Sequence, residues 1–245
     1  GNKFEFRMLG SKSSISGPNI VLNTIVAEAF KEAADMLEKA EDFDMAVHDM
    51  IKETLAAHKR VVFNGNGYSD EWVEEAERRG LPNIKSMVDA VPALTAPKAI
   101  KLFESFGVFT ESELRSRAEI KYEAYAKAIN IEAKSMIDIA SKHIIPAVVS
   151  YTTELANSVI AVSEAGVDSS TQKELLDEVT KYLKEMKAAL KKLTEVTEKA
   201  SDITEGKEQA TYFRDVVKVA MDELRAPADK LEMIVDKEFW PFPSY

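Results

Sequence analysis

The sequence lacks cysteine and has only three histidines, nine glycines and eight prolines among its 245 residues. A chain without thiols has no disulfide framework and no thiolate metal site, and three scattered histidines do not form a zinc centre. Hydrophobic residues make up 45% of the chain. A chain of this length buries about 70–75% of its unfolded surface. The sequence therefore predicts a protein that folds without covalent cross-links.

Positive charge is also in short supply, with 32 Lys and Arg against 42 Asp and Glu and a formal net charge of -10. Such a balance repels a phosphate backbone, so we expect no nucleic-acid partner. No apolar run reaches the roughly 20 residues of a membrane span, and the first residues lack the layout of a signal peptide. These features predict a protein of the cytoplasm with no membrane partner.

Residues 3–9 alternate charged and bulky side chains, which is the period-two pattern of a strand. One face carries Lys3, Glu5 and Arg7, and the other carries Phe4, Phe6 and Met8. A lone strand is unstable, so the rest of its sheet is expected from sequence outside this chain. The charged face is either simply solvated or a carboxylate between two cations that helps to bind a divalent ion and an anionic substrate. One carboxylate alone is not a metal site.

The next hundred residues are predicted to form helices and connections. Apolar periodicity predicts helices over about 18–40 and 44–60, and residues 61–63 suggest a short strand or extended segment. The segment NGNG at 64–67 has the residues of a turn and lacks the spacing of a phosphate-binding loop, so a turn is favoured. Residues 83–109 suggest short helices.

Residue 110 begins a different region, predicted to consist of long helices. Thr110 with Glu113, and later Thr171 with Glu174, form capping boxes that predict two helix starts. Pro146 is expected to kink the first long helix rather than end it, and Gly166 to close it.

Apolar residues recur at spacings of three and four along each long helix, as in a coiled coil. In the first helix the predicted stripe is Ala124, Ala128, Ile131, Ser135 and Ile139, resuming at Val149, Thr153, Ala156 and Ile160. In the second helix it is Leu176, Val179, Leu183, Met186, Leu190 and Leu193. In the third helix it is Phe213, Val217, Ala220, Leu224, Leu231 and Ile234, interrupted by Pro227.

These patterns predict a mainly α fold in which a long antiparallel helical bundle, residues 110–245, follows a domain of shorter elements, residues 1–109. The stripes are expected to pack within the bundle, although such stripes also dock partner helices.

Four separated blocks resemble the C-terminal region of type III glutamine synthetases. They are the N-terminal KFEFR strand with the helix after it, NGNGYSDEWVEEAERRGLPN, the stretch from RAEIKYEAYAKAINIEAKSMIDIA to IIPAV, and the terminal FWPFPSY. The resemblance implies that residues 1–109 are the C-terminal part of the catalytic domain, and that the extension beyond them is helical.

The resemblance also implies roles for the three charged strand residues. Glu5 matches a carboxylate that holds a divalent ion, Mg²⁺ or Mn²⁺, and Arg7 matches an arginine that binds the carboxylate of substrate glutamate. Lys3 stands where other types have an arginine that contacts nucleotide phosphate, and lysine keeps the charge but loses the planar fork. The implied chemistry is ATP-dependent joining of glutamate and ammonia through a glutamyl phosphate.

The family's β-grasp domain and its other metal-binding carboxylates would lie upstream of Lys3. The chain is therefore expected to be a C-terminal fragment, inactive alone, of a ligase that assembles as homo-oligomeric rings, with a dodecamer expected. The alternative hypothesis is a non-enzymatic helical scaffold whose stripes bind another protein.

Overall fold

The computed structural model describes residues 14–243, and within that range it contains helices and no strand. The predicted strand at 3–9, with Lys3, Glu5 and Arg7, lies outside the described residues. The chain divides into two compact units, one ending at Ser116 and the other beginning at Arg117. The mainly α character predicted from the sequence is confirmed for the described range.

The first unit begins with two helices, α1 (Ser16–Leu37) and α2 (Phe43–His58), close to the predicted bounds. The start of α2 is fixed by Asp42, whose carboxylate accepts a hydrogen bond of 3.0 Å from the backbone N–H of Met45. This N-cap satisfies a donor that the first turn of a helix leaves free. Three short helices follow, α3 (Asp70–Arg78), α4 (Met87–Ala90) and α5 (Pro97–Ser105).

The strand suggested at 61–63 does not form. Lys59–Val61 is a short 3₁₀ helix, and Val62 is extended without a neighbouring strand. The β-branched residues there favour extended backbone, but a strand needs a partner for its backbone groups. Of the predicted strand or extended segment at 61–63, only extended backbone at Val62 is observed.

The first long helix is α6 (Glu111–Ile139), which continues through a π-helical segment (Ala140–Ile144) into α7 (Ile145–Glu164). The predicted capping box is confirmed, since the Glu113 carboxylate accepts from the Thr110 N–H at 2.8 Å and Thr110 Oγ1 accepts from the Glu113 N–H at 3.3 Å. Helical structure also continues across Pro146, as predicted. Pro146 has no N–H and crowds the preceding turn, and the helix widens immediately before it.

A short turn joins α7 to α8 (Ser170–Ser201). Gly166 has a φ of 73° and ends α7 as predicted. The second predicted capping box is wrong, because α8 begins before Thr171. Asp168 instead accepts hydrogen bonds from the N–H and the hydroxyl of Ser170 at 3.0 and 2.8 Å. These bonds lower the pKa of Asp168.

The last helical stretch comprises α9 (Gly206–Tyr212), a second π-helical segment (Phe213–Val217) and α10 (Lys218–Ile234). Helix α8 contacts both α7 and α10. The stripe of α8 is confirmed in the core, with Val179, Met186 and Leu193 fully buried. Pro227 does not interrupt the last stripe. It lies inside α10, is buried and occupies a stripe position itself.

The stripe predicted for the first long helix is on the wrong face. Its large members are exposed, with Ile131 65% and Ile160 56% accessible. The core instead receives Ala126, Ala133, Ala140, Ile144, Val148, Tyr151 and Leu155. Both rows have spacings of mainly three and four, so periodicity alone does not tell which of them faces the bundle.

Candidate functional site

The predicted site residues Lys3, Glu5 and Arg7 lie outside the described residues, so the structure gives them no geometry. Among residues 14–243, no group of three or more His, Asp or Glu side chains is placed to hold a metal ion. The described part of the chain therefore does not supply a divalent-ion site by itself.

The two helices that follow the predicted strand leave bulky apolar side chains in solvent. The most exposed on α1 and α2 are Phe30 at 73%, Leu55 at 63% and Phe43 at 60%. Thr24 is the buried residue of α1, and α2 has none. Exposed apolar surface of this kind is typical of an interaction site.

A connection in the first unit is held rigidly by aromatic and cationic groups. The ring of Phe63 stacks on Trp72 with centroids 3.9 Å apart, and the Arg79 guanidinium lies 5.6 Å from the Trp72 ring centroid. Arg79 Nη1 also donates to the backbone carbonyls of Arg60 and Val62, at 3.2 and 2.8 Å. Residues 60–63 are thereby fixed to α3 without any strand pairing.

Glu75 orients this guanidinium. Its carboxylate accepts from Arg79 Nε at 2.5 Å and from Arg78 Nε at 2.6 Å. The hydrogen bonds from Arg78 and Arg79 lower the pKa of Glu75 to about 2. Sequence reasoning missed this cluster, although the i to i+4 spacing of Glu75 and Arg79 was a signal for it.

The loop NGNG is a turn, as predicted. Asn66 Oδ1 accepts from the N–H of Tyr68 at 3.0 Å, and neither Gly65 nor Gly67 has a positive φ. A Cβ at residue 65 would lie 2.6 Å from the tip of the Phe63 ring, so a larger residue there would require that ring to shift. His48 is exposed, and its Nδ1 lies 3.1 Å from Asp49 Oδ1.

An apolar cavity of about 490 Å³ opens in the second unit, beside the first π-helical segment. Its walls include Met136, Met186, Leu224 and Trp240, with Asp229 among its few charged residues. Trp240 Nε1 is buried and has no acceptor among residues 14–243. The cavity has room for an apolar group, but it does not assemble a catalytic set of side chains.

Comparison with known proteins shows that the sequence of this chain is similar to one family of enzymes. Residues 46–163 match the family model described as the glutamine synthetase C-terminal domain. The chain is similar to the C-terminal region of type-3 glutamine synthetases. The type-3 glutamine synthetase of Dictyostelium discoideum is 42% identical over 165 residues, covering 66% of this chain and 22% of the relative.

Two bacterial relatives extend the similarity. A glutamine synthetase of Butyrivibrio fibrisolvens is 40% identical over 169 residues, covering 65% of this chain and 23% of the relative. A glutamine synthetase of Bacteroides fragilis is 32% identical over 255 aligned positions, covering 100% of this chain and 35% of the relative. The chain therefore spans about a fifth to a third of the length of these glutamine synthetases.

Proposed function

We propose that this chain acts as the C-terminal part of an ATP-dependent glutamate–ammonia ligase. The observation that carries the proposal is the match of residues 46–163 to the glutamine synthetase C-terminal domain. The similarity to the Bacteroides fragilis glutamine synthetase across the whole chain supports it, because that alignment includes the predicted site residues.

In the proposed reaction, a side-chain carboxylate oxygen of glutamate attacks the terminal phosphorus of ATP, and ADP leaves. Ammonia then attacks the carbonyl carbon of the glutamyl phosphate, the C–O bond to phosphate breaks, and glutamine and phosphate are released after loss of a proton. Arg7 would hold a carboxylate of glutamate through a two-pronged hydrogen bond, and Lys3 would offset charge on the nucleotide phosphates.

Glu5 is proposed as one oxygen ligand of Mg²⁺ or Mn²⁺. Such ions need several oxygen ligands, and residues 14–243 hold no cluster that would complete the set. The remaining ligands are therefore expected from sequence upstream of Lys3. When bound, the ion would lower the cost of concentrating negative charge on the transferred phosphoryl group.

The exposed apolar surface of α1 and α2 supports the same proposal. Phe30, Phe43 and Leu55 are more than half accessible in this chain. A covering domain from upstream sequence would bury them, as hydrophobic burial favours. We therefore propose that the 245-residue chain is inactive alone. From the composition and the resemblance, we also propose that the longer protein is cytoplasmic and assembles as rings, with a dodecamer expected.

Steady-state kinetics of the longer protein test the role of Arg7. Arg7→Lys removes a planar fork worth on the order of 1.5–3 kcal/mol, so we expect the KM for glutamate to rise about 10- to 100-fold. The KM for ATP should change little, and Glu5→Ala should abolish metal-dependent turnover. Arg115→Lys is the matched control, because Arg115 is exposed and forms an ion pair with Glu111 of its own helix. An unchanged KM for glutamate in Arg7→Lys would contradict the assignment.

A further inference from the structure

The continuous helix made of α6, the π-helical segment and α7 carries a second row of side chains, which faces solvent. We call this the outer row. Its members are Ala124, Ala128, Ile131, Ser135, Asp138, Lys142, Pro146, Val149, Thr153, Ala156 and Ile160. All are exposed except Ala156, which is half-buried. The helix thus has two faces with the spacing of a helix–helix contact, and the bundle core uses only one of them.

The α7 half of the outer row differs from an ordinary solvated face. Helix α7 has two charged residues among its 20, whereas α6 has 11 among its 29 and α8 has 13 among its 32. The row's hydroxyl groups are already used within the helix, since Ser135 Oγ donates to the Ile131 carbonyl at 2.9 Å and Thr153 Oγ1 to the Val149 carbonyl at 3.1 Å. Apart from Asp138 and Lys142, the row therefore offers mainly methyl and methylene groups to whatever covers it.

The spacing of the residues in the row is the same read from either end. From Ala124 to Ile160 the spacings are 4, 3, 4, 3, 4 and then 4, 3, 4, 3, 4, with Lys142 at the centre. The π-helical segment Ala140–Ile144 is centred on the same residue. A two-fold axis at Lys142 would therefore superpose the row of one copy on the row of a second, antiparallel copy.

That register also matches side-chain sizes. It places Ala124 opposite Ile160, Ala128 opposite Ala156, Ile131 opposite Thr153, and Ser135 opposite Val149. Three of these four layers set a smaller side chain against a larger one, and the register also places Asp138 opposite Pro146 and Lys142 opposite the Lys142 of the second copy. Such alternation lets two helices interdigitate without voids.

Charge is compatible with the same register. Five charged residues flank the row on α6, and in this register each would face an uncharged residue of the second copy. The pairs are Lys121 with Ser163, Glu123 with Ala161, Lys127 with Asn157, Glu132 with Thr152, and Lys134 with Ser150. Two chains that each carry a formal charge of -10 could then meet without like charges opposed along the flanks. At the axis, each Lys142 is already paired with Asp138 of its own helix.

We propose that the outer row is a self-complementary interface that pairs this chain with a second, antiparallel copy about a two-fold axis at Lys142. The 37 residues from Ala124 to Ile160 extend about 55 Å, and a strip about 10 Å wide covers about 550 Å² on each copy. The total of about 1,100 Å² is near the lower end for specific interfaces, so the dimer should dissociate on dilution. The inference does not depend on the proposed ligase chemistry.

Sedimentation velocity across a range of concentrations tests the pairing. The chain should shift reversibly from monomer to dimer as its concentration rises. Ile131→Glu should raise the dissociation constant about 100-fold or more, because a two-fold interface contains the substituted residue twice. Met233→Glu is the matched control, since Met233 is 82% exposed on α10 and outside the row. A chain that stays monomeric at every concentration would overturn the proposal, as would equal effects of the two variants.

Cross-linking tests the register, helped by the absence of native cysteine. Lys142→Cys should cross-link to its own copy with a bismaleimide of about 8 Å reach, which suits packed helices 8–10 Å apart. Ala128→Cys alone should not, because 28 residues, or about 42 Å, would separate the two thiols. A mixture of Ala128→Cys and Ala156→Cys should give the cross-linked heterodimer. Self-cross-linking of Ala128→Cys would indicate parallel pairing and overturn the proposal.

A lipid surface is the competing occupant, because an 18-residue window within residues 111–164 has a mean hydropathy of 1.2. Flotation with phosphatidylcholine vesicles distinguishes the two. We expect the chain not to float. Flotation that Ile131→Glu abolishes would assign the row to lipid and overturn the proposal. Either failure would leave the Arg7 kinetics, and hence the proposed ligase function, untouched.

Discussion

The two compact units differ in how much core they contain. The second unit buries one continuous apolar cluster that includes Phe213, Met186 and Leu224. The first unit leaves Phe30, Phe43 and Leu55 largely accessible, and α2 has no buried residue. Burial of apolar area is the main stabilising contribution to folding. The second unit therefore has the means to fold on its own side chains, whereas under the proposed function the first packs against further polypeptide.

Hydrogen exchange should show this contrast most strongly. Amides of α8 should open only with global unfolding and exchange about 10⁴- to 10⁶-fold more slowly than in an unstructured chain. Amides of α1 and α2 should be protected less than about 100-fold in this chain. Mass-spectrometric exchange measures both on one sample. Comparable protection of α1 and α8 would remove the contrast between the units.

A core truncation should sharpen the comparison. Leu190 is buried in the cluster, so Leu190→Ala should lower the free energy of unfolding by about 2–5 kcal/mol. Lys191→Ala is the matched control on the same helix, since Lys191 is exposed and lies 3.8 Å from Glu195, and it should change stability by less than about 0.5 kcal/mol. Urea denaturation followed by circular dichroism measures both variants. A small effect at Leu190 would contradict the assignment of this stripe to the core.

Lys192 is not an equivalent control, although its place off the stripe predicts tolerance to alanine. Its Nζ donates to both carboxylate oxygens of Glu223 on α10, at 2.8 and 2.6 Å. Lys192→Ala would leave this contact between two helices unmade, so its effect should exceed that of Lys191→Ala.

Acid should loosen the first unit at the Glu75 cluster. The folded pKa of Glu75, about 2, lies below its ordinary value of 4.5. The stabilisation is therefore present above about pH 4.5 and is lost as the pH falls towards 2. Fluorescence of Trp72, read in a Trp240→Phe background, should report the loss. Glu75→Gln should flatten this part of the pH profile, and an unchanged profile would show that Glu75 does not hold Arg79.

The smallest effect is expected on the exposed surface of the first unit. Phe30 is 73% accessible, so Phe30→Ser should change the stability of this chain by less than about 0.5 kcal/mol. In the longer protein the same change should be strongly destabilising, because the contact between α1 and the proposed covering domain would lose a buried aromatic ring. Thermal unfolding of both forms measures the difference. Equal small effects would argue that nothing covers α1.

Local chemistry in the sequence determined where several helices begin or end. The reciprocal hydrogen bonds of Thr110 and Glu113, and the left-handed backbone of Gly166, act within one turn and need no distant partner. Where the prediction was wrong, a nearby alternative was better placed, as Asp168 is for the start of α8. The site at Lys3, Glu5 and Arg7 stays a prediction from the resemblance, since it lies outside the described residues.

Tertiary structure alone decided which face of the first long helix is buried. The rows through Ala126 and through Ile131 have similar spacings, so the sequence predicted a helix with a stripe but not its orientation. Small residues such as Ala133 and Ala140 let neighbouring elements approach closely, and the larger Ile131 and Ile160 remained outside. Which face of a helix is buried depends on the shapes of all the surfaces that pack against it, and the sequence of one helix does not contain that information.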